Sequence, residues 1–173
     1  MSVSITKTVA IFLVVAICGC ERSQPTGSLA DEQTRRSIEA MAANANEKTP
    51  EGQYFLCAKI QLEAQICNTP DERDAKLATA KEWCRKSAEG GYFIAQGLMA
   101  IHCFNDKKLI ESYAWRGVRI YQCERMKDLE DLVPSFVEMQ ERLNLDDEQL
   151  AKAKTLTAEY IEKYVDLENN GYQ

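Results

Sequence analysis

Ala80-Lys-Glu-Trp-Cys-Arg-Lys-Ser-Ala-Glu-Gly90 decides the fold class. Ala80, Trp83, Cys84, Ser87 and Ala88 fall at i, i+3, i+4, i+7 and i+8, the spacing that lines up one face of an α-helix. Gly90-Gly91 then stops it, as glycine does at helix C-termini. Upstream, 51–67 carries Phe55, Ala58, Leu62 and Ile66 on one stripe, and Asn68-Thr-Pro-Asp71 is a turn. Before it, 31–47 opens on Asp31 as N-cap, places Ile38, Met41, Ala42 and Ala45 at helical spacing, and is broken by Thr49-Pro50. Downstream, 92–104 is almost wholly apolar and should be buried on most sides.

Asn105-Asp106 turns the chain into 108–122, with Ile110, Tyr113, Ala114, Gly117, Val118 and Tyr121 on a stripe. Region 125–145 keeps Leu129, Leu132, Val133, Phe136, Val137, Gln140 and Leu143 in register, and Pro134 implies a kink or a restart there. The last helix, 147–168, begins at Asp146-Asp147, where acidic side chains suit unpaired backbone N–H groups, and its buried stripe is Ala153, Leu156, Tyr160 and Tyr164. No segment of useful length alternates with period two. The fold class is all-α, built of antiparallel helical hairpins because the turns are short.

Composition narrows function. The 173 residues are 45% hydrophobic and 28% charged, with 21 Lys+Arg against 27 Asp+Glu and a net charge of -6. That excess of acid, without a long basic run, disfavours nucleic-acid binding. The hydrophobic content is too high for wholesale disorder, and eight Gly and four Pro do not make a collagen-like or low-complexity chain. His102 is the single histidine, so a multi-histidine metal site is excluded. No cofactor or metal is expected.

The N-terminus has the pattern of an export signal. Lys7 precedes the nine-residue apolar run Val9–Ile17, too short to span a bilayer, which takes about 20 residues. The run ends in Ile17-Cys18-Gly19-Cys20, which resembles a bacterial lipobox. That resemblance implies removal of 1–19 and a diacylglycerol on Cys20; Cys18 is the poorer acceptor because Ile17 would occupy the small-residue position. Glu21, where Asp would signal inner-membrane retention, points to the outer membrane, facing the periplasm. Residues 20–30 are the lipid-anchored tether, 31–168 the helical domain and 169–173 a disordered tail.

Two hairpins resemble each other. Tyr54-Phe-Leu matches Tyr92-Phe-Ile, and Ala80-Lys-Glu-Trp83 matches Ser112-Tyr-Ala-Trp115. Such repeats stack into solenoids. Ala80 to Gly90, followed by Ala95-Gln96 and Leu98-Met99, resembles a Sel1-like repeat, a family related to tetratricopeptides; Glu111-Ser-Tyr-Ala-Trp115 resembles the second helix of a following repeat, and 146–165 the terminal helix. The resemblance implies a short right-handed solenoid with flanking capping helices. Neither hairpin loop has the family's Gly-x-Gly-Val turn, so loop shapes do not carry over.

Five cysteines follow Cys20: Cys57, Cys67, Cys84, Cys103 and Cys123. In an oxidising compartment pairing is expected. Two bridges among five allow fifteen arrangements. A hairpin turning near Pro70-Asp71 mirrors Cys57 onto Cys84, the first pairing to expect, and cross-linking of a hairpin's two helices also agrees with the Sel1-like resemblance. Cys67 and Cys103 each end a first helix and are the second candidate pair. Cys123 is then free or pairs outside the chain, and the alternative to all of this is a set of buried reduced thiols.

No active site emerges. Asp71-Glu72 and Asp146-Asp147 lie at turns or helix starts, where capping is the ordinary role. His102 and Cys103 are neighbours, but adjacent helical residues point about 100° apart and do not face one another; the histidine should sit at the surface or rim. Trp83 and Trp115 are expected as packing residues. Arg116, Arg119 and Arg125 form a small basic patch, a candidate contact surface. The expectation is a non-enzymatic lipid-anchored envelope protein that binds another protein in an adaptor or assembly role. The Sel1-like resemblance implies the alternative, a periplasmic immunity protein neutralising a secreted lipase-type toxin, and acidity would suit masking a basic surface. A cysteine-rich hydrolase acting on cell-wall-like substrates, using Cys123 and His102, is the weak one.

Overall fold

A computed structural model describes residues 29–126 and 129–165. Cys20, the peptide before it and the tail 169–173 lie outside the described residues. Among the described residues there are seven α-helices and no strand: α1 Leu29–Ala43, α2 Pro50–Gln65, α3 Pro70–Glu89, α4 Phe93–Asn105, α5 Leu109–Arg125, α6 Val133–Glu141 and α7 Asp147–Tyr164, with one 3-10 turn at Glu130–Leu132. The all-α class stands.

Local chemistry sets the boundaries. The hydroxyls of Thr49 and Thr69 accept from the backbone N–H of Gly52 and Glu72, and Pro50 and Pro70 follow each cap, where a missing N–H costs nothing. That second cap starts α3 at Pro70, inside what the sequence marks as a turn. Asp31 lies within α1 rather than capping it. Pro134 starts a new helix instead of kinking an old one, since α6 begins at Val133. Asp146 and Gln149 form a reciprocal capping box at α7, as its acidic start foretells.

Consecutive helices run antiparallel. Ser87 Oγ donates to the Pro50 carbonyl at 2.6 Å and Lys76 Nζ to Glu63 Oε2 at 2.7 Å, at opposite ends of α2–α3. Between them Cys57 and Cys84 form a disulfide with Cα atoms 5.3 Å apart. Lys81 pairs with Asp106, and Gln96 Nε2 donates to the Ala88 carbonyl, which fixes α4 on α3. Ser112 Oγ donates to the Ala100 carbonyl at 2.8 Å, which fixes α5 on α4. α7 and α6 both lie on α5, and α1 packs on α2.

The core is built from small side chains. Ala58, Ala80, Ala88, Ala95, Ala100 and Cys84 are buried where helices meet, and Leu98, Met99 and Val118 supply most of the fully buried bulk. Small residues let helix axes approach closely. Gly52 is the tightest case: a Cβ there would lie 2.0 Å from the Asn46 carbonyl oxygen in the α1–α2 loop.

Two expected stripes are corrected. In α2 the buried row is Tyr54, Cys57, Ala58, Gln61 and Ala64, while Ile66 is exposed. In α5 the buried set includes Ser112, Trp115, Gln122 and Cys123 beside Ala114 and Val118, while Ile110, Tyr113 and Tyr121 are half-buried. Both helices are flanked on two sides, so no single stripe describes either. The Cys67–Cys103 pair does not form. Cys67, just past α2, donates from Sγ to the Glu63 carbonyl in the last turn of that helix, Cys103 Sγ donates to Glu111 Oε2, and Cys123 is a buried thiol. The Lys81–Asp106 pairing sets Cys103 level with about Cys84, roughly 15 Å down α3 from the tip where Cys67 sits.

The Cys57–Cys84 bridge closes a sequence separation of 27 residues. Loop-closure entropy then contributes about 3.5 kcal/mol. Replacing both cysteines by serine should lower the unfolding free energy from urea titration by about that amount, with a correspondingly lower midpoint, and a reductant should have no further effect on the variant.

Candidate interaction surface

Arg116, Arg119 and Arg125 all lie on α5 and do not form one patch. Nine helical residues separate Arg116 from Arg125, which puts them on opposite sides of the helix. Arg125 is exposed, and its Nη1 donates to the Tyr121 hydroxyl at 2.9 Å. Arg116 is half-buried, with Nε 3.4 Å from Ser112 Oγ. Arg119 is half-buried between two aromatic rings: its guanidinium lies 4.3 Å from the Phe93 centroid and 4.2 Å from that of Phe136. It also lies over Gly97, where a Cβ would be 2.4 Å from Nη1. A cation stacked between two rings joins α4, α5 and α6. Net charge could not reveal this; an isolated glycine in an apolar helix was the available signal.

α5 carries a second aromatic set. Trp115 is buried against Tyr160 at 4.7 Å and Tyr164 at 5.5 Å, both on α7. Burial pushes the Tyr160 hydroxyl up to about 12, helped by the Glu111 carboxylate. Trp115 thus packs as expected. Trp83 is half-buried, with Lys86 Nζ 4.6 Å from its ring centroid.

The polar interior is structural. His102 is half-buried, and its Nε2 lies 3.4 Å from Gln61 Nε2. Burial, with Lys81 nearby, holds its pKa below the ordinary value, while Asp106 opposes them. Cys103 points instead to Glu111, so the two neighbours serve different helices. Burial and then Glu111 push the Cys103 thiol up to about 12, and burial also raises Cys123. Cys123 sits at the far end of α5 from the level of His102, roughly 16 Å along the helix. The structure does not bring that pair together, and neither thiol is primed to ionise.

A shallow groove of about 500 Å³ opens between the end of α1 and the start of α2, lined by Met41, Asn44, Thr49, Glu51 and Phe55. Among the described residues no group of His, Cys, Asp and Glu could hold a metal ion, and no helix is long and apolar enough to cross a membrane. The chain matches no family model, no curated protein and no solved structure.

Two outcomes follow from this geometry. Arg119→Ala should destabilise the fold by about 1–2 kcal/mol, and Gly97→Ala, which changes no charge, should mimic it by displacing the guanidinium; faster amide exchange across 133–141 reads both. For His102, a lowered pKa means that the folded ring resists a proton which the unfolded chain accepts. Stability is therefore full above 6.5 and falls as pH drops from there toward the carboxylate range. With only one histidine in the chain, His102→Gln should flatten that slope in urea titrations.

Proposed function

We infer that this chain is a lipid-anchored protein of the bacterial envelope, of the Sel1-like repeat type, whose stacked hairpins bind another protein and carry no catalysis. One observation carries the reading: the α2–α3 and α4–α5 hairpins pack side by side with a stagger, held by Lys81–Asp106, Gln61–His102 and Gln96–Ala88. Ala80 and Ser112 are buried at matching places, and Trp83 and Trp115 follow each by three residues. Stacked hairpins expose broad helical faces, and such faces suit macromolecules better than small substrates. Lipidation at Cys20, outer-membrane attachment and a right-handed solenoid belong to the same proposal and rest on the sequence pattern.

The net charge of -6 favours a second reading, an immunity protein that masks a basic secreted toxin. Both are tested at once by crosslinking the tagged full-length protein in its own envelope and identifying what is retained. Resident envelope proteins in near-stoichiometric yield are the expected result. A single secreted toxin, released by added salt, would move the assignment to immunity. An empty eluate from folded, oxidised protein would contradict binding altogether.

A further inference from the structure

Four large hydrophobic side chains are exposed among the described residues: Ile66 at 78%, Leu77 at 41%, Phe104 at 43% and Met139 at 46%. Singly, such residues need no explanation. Three of the four, however, lie on the half of the array that holds the α2–α3 and α4–α5 turns. Ile66 follows α2 at the tip of the α2–α3 hairpin, and Phe104 is in the last turn of α4, beside the α4–α5 turn. Leu77 lies one helical turn above Lys81, on the flank of α3 that α4 covers lower down. α3 has 20 residues and α4 only 13. α3 therefore overhangs α4, and Ile66, Leu77 and Phe104 lie at successive levels down the stepped edge that results, the first and last about 15 Å apart along α3.

The described chain also begins at this end. α1 and α2 have 15 and 16 residues and are joined by a short loop. As an antiparallel pair, they bring Leu29 back to the level of Ile66. The 28 residues before Leu29 hold the apolar run Val9–Ile17 and Cys20. From Cys20 to Leu29 the chain can reach at most about 30 Å. Charges along the edge balance, with Arg73, Lys107 and Lys108 set against Asp71, Glu72 and Asp74, so nothing here selects an anionic surface.

We propose that this edge rests on the bilayer to which the chain is tethered, with Ile66, Leu77 and Phe104 entering the headgroup region. The proposal rests on the reading of Cys20 as the lipid anchor. Three side chains would hold a free protein only weakly; a short tether makes their contact intramolecular and raises its effective concentration. Docking would turn the opposite edge, with the 44–49 and 90–92 loops, toward the aqueous space.

The test is amide exchange of the full-length, envelope-extracted protein on phosphatidylcholine vesicles, compared with an Ile66→Ser, Leu77→Ser, Phe104→Ser variant on the same vesicles. The substituted side chains are exposed, so circular dichroism should be unchanged. Exchange at 64–69 and 103–108 should be severalfold slower in the wild type, equal at 90–92, and independent of protein density and of added salt. Equal exchange at all three segments would overturn the proposal. Slowing that appears only at high protein density would overturn it too, in favour of a second copy as the occupant. The intact mass separates the two levels. Without diacylglycerol on Cys20 the anchor reading falls and this proposal with it; with diacylglycerol present but no slowing, this proposal alone falls.

Discussion

The contact between α2 and α3 is the constraint on which the rest of the array depends. Its helices bury Tyr54, Cys57, Ala58 and Ala64 from α2 and Ala80, Cys84, Ser87 and Ala88 from α3. These are mostly small side chains, and the Cys57–Cys84 bridge holds two Cα atoms at 5.3 Å. Small residues bury little apolar area each. The crosslink compensates by restricting the unfolded chain, and the Ser87 and Lys76 hydrogen bonds fix both ends of the pair. With that hairpin held, α3 offers Lys81 and the Ala88 carbonyl as fixed points for α4, and α4 offers the Ala100 carbonyl to α5.

α5 is the second organising element. It meets α4, α6 and α7, and each contact uses different chemistry. Toward α4 it places Ser112, and toward α7 Trp115 against two tyrosines. Toward α6 it uses Arg119, with Gln140 Nε2 also donating to the Tyr113 carbonyl. α6 has no fully buried residue of its own, so these few contacts hold it. A basic residue in an acidic protein is here a packing element: the Arg119 guanidinium sits between two rings, a place that suits a weakly hydrated planar cation better than a compact, strongly hydrated ammonium.

The helical class was legible because apolar spacing and capping chemistry agree along the chain. Gly90-Gly91 and Asp146 mark their boundaries locally, whereas Thr69-Pro70 reads as a turn and proves to be a helix cap. The Cys57–Cys84 pairing was legible because mirror symmetry about a hairpin turn is a local property. What failed was long-range. Phe55 and Ile66 sit on an apolar stripe, but α2 faces α3 with the row one residue away, and only the packed neighbour decides between adjacent rows. Cys67 and Cys103 both end first helices, yet α3 overhangs α4 and separates them. Arg119 takes its two aromatic partners from two other helices, which no local pattern announces. The same overhang leaves Leu77 exposed on a row that is buried lower down.

Peptide mapping of the unreduced protein reads the register of α2 against α3. One linked peptide pair is expected within the body of the chain, joining Cys57 to Cys84, with Cys67, Cys103 and Cys123 recovered as alkylated thiols. A link between Cys67 and Cys103, or between Cys84 and either of them, would contradict the stagger of the hairpins and with it the architecture described.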